Sequence, residues 1–416
     1  MDKTIKFEEA KKFEGPVSFS AMVKPGGSLC NLNCTYCYYL DKVRQYGGKE
    51  PVMNDELLEV FIKQYIAAND ADVVQFVWHG GEPLLLSLDF FRKAMKLQKK
   101  YANGKKIENS LQTNGTLLND DWCRFFVANK FLIGISLDGP EDIHDSYRLD
   151  KSGQPTFEKV MKGLSLLKRY NVDFNTMSVV TKKCEGRGAE IYEFFKSIGS
   201  HYMQFMPAVD HYVSLPGYQR PLIVAPDYPN AVLADWSVSS EGYGHFLNDV
   251  FDKWVVSDVG QYFVQMFDAT LAQYCNVTPG VCTMCETCGE DLTVEHNGDV
   301  YCCDHSVYPG FKLGNIVSQD IKSIFNKPER LAFGLNKRET LPVVCKRCIY
   351  YKVCRGGCPQ HRFFEPVPGE GRVNYLCAGL KLYFEHTKPC MEYMKNLLMM
   401  QHSPAEVMPF ARKKQI

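Results

Sequence analysis

The chain has 416 residues, enough for two or three domains with ample core. Lys plus Arg and Asp plus Glu both count 48, so no basic footprint for nucleic acid is present, and no run of 18 apolar residues predicts a membrane span. The start, MDKTIKFEEAKKFEG, has no apolar core of a secretion signal. With 17 cysteines and no export signal, metal ligation is expected over disulfides, and a cytoplasmic location with them.

Taken in order, VSFSAMV (Val17 to Val23) reads as a buried strand, and Gly26-Gly27 turns the chain out of it. The stretch CNLNCTYC follows, with Cys30, Cys34 and Cys37 at C-x3-C-x2-C spacing. Three thiolates can hold three irons of a [4Fe–4S] cluster and leave the fourth iron open to a small molecule. A zinc site is the alternative, although structural zinc is usually closed by a fourth Cys or His.

Helical spacing is expected at 55–68 behind an Asn54 cap, and at 90–102, 120–130, 157–170 and 189–199. Strands with their turns are expected at 73–83, 107–116, 131–140, 172–180 and 201–209. Counting the first, six apolar strands alternate with helices, which predicts an α/β fold with a parallel sheet and right-handed crossovers. Periodicity alone leaves open whether that sheet is a partial barrel or doubly wound. From His211 to about Glu241 the pattern breaks into a Pro- and Tyr-rich stretch read as a long loop. Helices are expected at 245–256 and around 262–274, and from Cys282 cysteines dominate.

The turn HGGEP (His79 to Pro83) carries Gly80 and Gly81, which permit close backbone approach, and Glu82. His79 beside it is as readily a packed histidine as a catalytic one. Ser136 could be a strand-end hydroxyl and Arg148 a surface ion pair. In the cysteine-rich part, CKRCIYYKVCRGGC is C-x2-C-x5-C-x3-C, and ten cysteines lie between Cys282 and Cys377. Two four-thiolate clusters need eight; two zinc ribbons are the rival on spacing alone. Cys123, Cys184, Cys275 and Cys390 read as plain thiols.

The C-x3-C-x-aromatic-C loop resembles the radical S-adenosylmethionine superfamily, and the later cysteines resemble its SPASM extension. Together with GGEP, SLQTNGTL, the S-x-DGP-x-x-IH segment, MQF, YCCD, LGNI and NYLC, they make the chain similar to the anaerobic sulfatase-maturating enzymes. The resemblance implies a partial (β/α)6 barrel followed by a small cysteine-rich α+β SPASM domain. The domain limits it suggests are an N-terminal extension at 1–15, the barrel at 16–240, a helical linker at 241–280, SPASM at 281–390 and a terminal helix and tail at 391–416. It implies three [4Fe–4S] clusters and S-adenosylmethionine. Cys30, Cys34 and Cys37 would hold the first cluster; Cys282, Cys288, Cys303 and Cys358 a second; Cys345, Cys348, Cys354 and Cys377 a third. Cys285 and Cys302 are then surplus. Tyr36, Gly80, Gly81, Glu82, Ser136, Arg148 and Val209 would meet S-adenosylmethionine, with Tyr36 against the adenine.

The same resemblance makes Asp304, directly after Cys303, the catalytic base. The substrate would be a Cys or Ser in a CxPxR or SxPxR segment of an unfolded or nascent sulfatase, and the product Cα-formylglycine. Another radical maturase of a ribosomal peptide is the alternative. Flavodoxin or ferredoxin would serve as reductant; no nucleic acid or membrane partner is expected. Proton transfer from a thiol near pKa 8.5 to an Asp near 3.9 is uphill by roughly 6 kcal/mol, and burial of Asp304 is expected to narrow that gap.

Overall fold

The computed structural model describes residues 17–47, 52–215 and 221–414. The expected extension at 1–15, and residues 216–220 of the expected loop, lie outside them. The chain divides into two compact units, each assembled from separated stretches. The first comprises Met1–Ser136, Tyr147–Phe174 and Cys288–Asn336; the second comprises Leu137–Ser146, Asn175–Thr287 and Lys337–Ile416.

In the first unit, β1 (Ser20–Lys24), β2 (Val73–Trp78), β3 (Lys106–Thr113) and β4 (Phe131–Ser136) alternate with α1 (Asp55–Ala68), α2 (Leu88–Tyr101), α3 (Asp120–Asn129) and α4 (Phe157–Arg169). Local chemistry sets the helix starts. Side chains of Asn54, Ser87 and Asn119 each accept a backbone N–H three residues on, the capping bond that Asn and Ser make best. On α1 the apolar residues Leu58, Phe61, Ile62 and Tyr65 recur at helical spacing and are fully buried. Phe61 and Tyr65 pack edge-on against Phe76 of β2, which with Trp78 is also fully buried.

The four strands pair in parallel in the order β4-β3-β2-β1. The free edge of β1 is then taken by a strand from far along the chain. This strand, Asp291–Glu295, pairs in parallel with β1 from Ser20↔Asp291 to Lys24↔Glu295. It continues into an antiparallel meander through Asp299–Tyr301 and Lys312–Asn315. The start of the cysteine-rich region is therefore an extension of the first sheet, and it carries Cys303 and Asp304 to the end of β1.

The second unit holds β5 (Phe174–Val180) from its second residue on and β6 (Tyr202–Pro207) around α5 (Gly188–Ser197), with the short strand Phe263–Val264 parallel to β6. The stretch expected as one long loop contains three short strands, His211–Val213, Leu222–Val224 and Val232–Leu233. The first pairs antiparallel with the other two. Buried Val213, Ile223 and Val224 and the bond from Trp236 Nε1 to Asp210 Oδ2 (2.9 Å) hold this small sheet, a cue the prolines and tyrosines obscured. Helices Ser240–Ser257 and Cys377–Met399 cross at Gly244 and Gly379, where a Cβ on Gly379 would fall 1.7 Å from Ser240 O. Among the described residues no helix is long and apolar enough to cross a membrane.

Candidate active site

The loop after β1 carries Cys30, Cys34 and Cys37, all as free thiols. It is zipped to the HGGEP turn: Gly81 N–H donates to Gly27 O and Glu82 N–H to Leu29 O, both at 2.8 Å. A Cβ on Gly81 would lie 2.1 Å from Leu29 O, and Gly80 has φ +125°, so both positions require glycine for the approach of protein backbone. Across the loop, Asn33 N–H donates to Leu149 O and Thr35 N–H to Tyr147 O. Cys30 Sγ accepts from Leu32 N–H at 3.4 Å and from the Asn114 amide at 3.9 Å. Burial pushes the Cys30 thiol up to about 12, so its ionisation needs a compensating cation. The donor set, three thiols on one clamped loop with N–H groups aimed at sulfur, fits an iron–sulfur cluster. Among the described residues no three His, Cys, Asp or Glu side chains are gathered around a single-ion site; a cluster asks for wider spacing, because each thiolate binds its own iron.

The Glu82 side chain turns inward. Its Oε1 accepts from Leu84 N–H (2.9 Å) and Thr113 Oγ1 (2.8 Å), and its Oε2 from Asn114 N–H (2.7 Å). Burial outweighs these bonds and raises its pKa to about 7. What the turn presents outward is backbone. His79 Nδ1 accepts from Gly80 N–H at 2.7 Å, and burial lowers its pKa to about 4, so it is neutral at pH 7.

Two of the other predicted cofactor residues form a pair. Tyr36 and Arg148 are both buried, the guanidinium carbon 5.5 Å from the Tyr36 ring centre. Ser136, ending β4, accepts from the Gln112 amide at 2.8 Å. Val209, in the second unit, is buried just past β6.

Asp304 is the centre of the charged site. Its Oδ1 is ion-paired with Lys24 Nζ, and its Oδ2 accepts from the Tyr38 hydroxyl. The Lys24 side chain has no exposure, whereas Asp304 keeps 17 %. Lys24 Nζ also lies 3.5 Å from the centre of the Tyr39 ring, and the Tyr39 hydroxyl donates to Glu295 (2.7 Å), the register partner of Lys24. Burial alone would raise the Asp304 pKa, but the charge of Lys24 overcomes it and holds the carboxyl well below the usual range. The expectation that burial would make Asp304 more basic is therefore corrected, because a buried cation sits on it.

Lys24 and Tyr38 are the residues that sequence reasoning missed. A lysine closing an otherwise apolar strand and a doubled tyrosine directly after the third cysteine were the available signals.

In the second unit, Cys345, Cys348, Cys354 and Cys377 lie near enough for their charges to act on one another. Cys282 and Cys358 also belong there, with Lys337 donating to the carbonyls of Cys282, Thr283 and Cys285, and Arg362 near Cys358. Cys288 and Cys303 lie in the first unit. Neighbouring Cys302 is 3 % exposed, and burial pushes its thiol to about 12 beside Arg330.

Residues 25–195 match the family model of the radical SAM superfamily and residues 282–349 that of an iron–sulfur cluster-binding domain. A serine-type anaerobic sulfatase-maturating enzyme of Bacteroides thetaiotaomicron is 48% identical over 93% of this chain and 94% of its own. A cysteine-type enzyme of Clostridium novyi is 35% identical over 92% of this chain and 100% of its own. The solved structure of native anSMEcpe with bound AdoMet and Cp18Cys peptide superposes with a TM-score of 0.79 at 32% identity, covering 91% of this chain and 99% of that one. The fold is the α/β radical SAM fold with a cysteine-rich SPASM region. The chain belongs to the anaerobic sulfatase-maturating enzymes.

Proposed function

We propose that this enzyme converts a Cys or Ser side chain in a CxPxR or SxPxR segment of an unfolded or nascent sulfatase to Cα-formylglycine. Cys30, Cys34 and Cys37 would hold the first of three [4Fe–4S] clusters, with Cys282, Cys288, Cys303 and Cys358 on the second and Cys345, Cys348, Cys354 and Cys377 on the third. Tyr36, Arg148, Ser136, Val209 and the backbone of Gly80, Gly81 and Glu82 would hold S-adenosylmethionine. When bound, these groups would supply a 5′-deoxyadenosyl radical that takes one Cβ hydrogen with the first substrate electron, and an acceptor for the second; a reductant such as flavodoxin or ferredoxin would supply the separate electron that cleaves S-adenosylmethionine.

The chain's own contribution is the proton. Asp304, ionised at neutral pH, accepts the thiol or hydroxyl proton through lone pairs that Lys24 and Tyr38 leave free. Because Lys24 makes Asp304 a weak base, the transfer runs together with loss of the second electron, which removes the return path for the proton; from Ser this leaves the aldehyde, and from Cys a thioaldehyde that water hydrolyses to the aldehyde with loss of hydrogen sulfide. The observation that carries this reading is the tie from Asp304, next to Cys303, to Tyr38, next to Cys37. The higher identity to the serine-type relative (48%) than to the cysteine-type one (35%) supports acceptance of the SxPxR peptide.

The test is anaerobic incubation of reconstituted enzyme, dithionite and S-adenosylmethionine with two short peptides, read by mass spectrometry. Loss of about 18 Da from the CxPxR peptide and about 2 Da from the SxPxR peptide is expected for the aldehyde. Accumulation of 5′-deoxyadenosine with neither peptide changed would remove the sulfatase reading.

A further inference from the structure

Lys24 has two carboxylates within its reach. Glu295 is its register partner on the strand paired with β1. Paired strands lie about 4.8 Å apart, so register partners on one face meet without backbone movement. Neither Lys24 nor Glu295 has any exposure, and opposite charges attract far more strongly when buried than in water. The pairing of the strands therefore offers Glu295 to Lys24 first. Among the described residues, however, the ion pair of Lys24 goes to Asp304.

Tyr39 accounts for that choice. It is 3 % exposed, and its ring centre lies 3.5 Å from Lys24 Nζ. Its hydroxyl lies 2.8 Å from Glu295 Oε1 and 2.7 Å from Oε2, so its one proton is shared between the two oxygens. The side chain thus spans from the ammonium, held by the ring, to the carboxylate, held by the hydroxyl. The tyrosine before it, Tyr38, donates to Asp304 instead. The doubled tyrosine after Cys37 therefore divides the two carboxylates, one hydroxyl to each. A second buried lysine, Lys42, lies close enough for the charges of Glu295 and Asp304 to act on it. Two lysines face two carboxylates, and which pairs with which is set by what stands between them.

We propose that Tyr39 is a positioning residue that keeps Glu295 occupied and so allots Lys24 to Asp304. Its effect on the reaction rests on the reading of Asp304 as the proton acceptor. Lys24 and Tyr38 fix one oxygen each of Asp304. Without Lys24 the carboxylate turns about its own bond, and a misplaced acceptor slows the transfer.

Tyr39→Leu, Glu295→Gln and the double variant, as full-length reconstituted enzymes, are compared with the unaltered chain for iron content, crystal structure and the ratio of formylglycine to 5′-deoxyadenosine. In Tyr39→Leu, Lys24 Nζ is expected within about 4 Å of Glu295 and away from Asp304, with iron retained. The product ratio should fall by at least about tenfold, and adding Glu295→Gln should bring it back to within about threefold of the unaltered chain. Glu295→Gln alone should leave Lys24 on Asp304. A Tyr39→Leu structure with Lys24 still on Asp304 overturns the proposal. So does a double variant whose ratio is as low as that of Tyr39→Leu, because a side chain that only fills space is not rescued by a change at Glu295. If Tyr39→Leu does not bind iron, Tyr39→Phe carries the same test: a fall of about threefold that Glu295→Gln reverses supports the proposal, and a fall it does not reverse overturns it. The base reading is judged separately by Asp304→Asn; if that variant keeps the unaltered ratio, the reading fails, and the position of Lys24 in the crystals still decides the role of Tyr39.

Discussion

Lys24 and Asp304 form an ion pair between the last residue of β1 and the residue directly after Cys303. Lys24 is fully buried, so the pair is desolvated on its cationic side and reachable only through Asp304. Breaking such a pair from one end is costly, about 3–5 kcal/mol, because the other charge is left buried. Lys24→Met is therefore expected to lower stability by that order and to raise the Asp304 pKa. In the unaltered enzyme the Asp304 pKa is depressed, so its stabilising contribution is present above the ordinary value of 3.8 and is lost only as pH falls below it. The pH–rate profile for formylglycine formation should then show no acid limb from Asp304 near neutrality, and Lys24→Met should move that limb upward. An unmoved limb would separate Lys24 from the base.

Tyr38 holds the other oxygen of Asp304. Tyr38→Phe keeps the ring beside His305 and deletes only the donor. A loss of one charge-assisted bond, about 1.5–3 kcal/mol, predicts a roughly 10- to 100-fold lower formylglycine rate with iron content retained. Single-turnover product formation checks it.

Much of this site was legible in the sequence because its chemistry is local. The spacing of Cys30, Cys34 and Cys37 and the HGGEP turn need only neighbouring residues to be seen, as do the six apolar strands and the Asn54 cap. The partners of Asp304 were not legible, since Lys24 reaches it across 280 positions and only through the parallel pairing of Asp291–Glu295 with β1. Nor could composition show that Glu82 faces inward. The short strands after β6 were hidden for a related reason: two or three residues per strand leave no period to read.

Glu82 gives a stability prediction. Glu82→Gln places an amide N–H₂ against at least one backbone or hydroxyl donor, which should cost about 1–3 kcal/mol. Its folded pKa is raised to about 7, above the ordinary 4.5, so its contribution is fully present below 4.5 and declines as pH rises through about 7. Denaturant titrations from pH 5 to 8 should show this slope in the unaltered chain and its loss in Glu82→Gln.

The adjacent thiols Cys302 and Cys303 provide a clean pair. Cys302 is buried near Arg330, whereas Cys303 lies near Tyr38 at the charged site. Cys302→Ala is expected to leave iron per chain unchanged, and Cys303→Ala to lose about four irons. Iron analysis after anaerobic reconstitution distinguishes them, and the reverse pattern would reassign the ligand.

The most direct test of the account is Asp304→Asn with the CxPxR and SxPxR peptides under reducing anaerobic conditions, measuring 5′-deoxyadenosine and formylglycine in the same reaction. The account predicts that 5′-deoxyadenosine still forms while formylglycine falls by at least about 100-fold, as expected when a proton acceptor is removed. Formylglycine produced in the same ratio to 5′-deoxyadenosine as in the unaltered enzyme would contradict it.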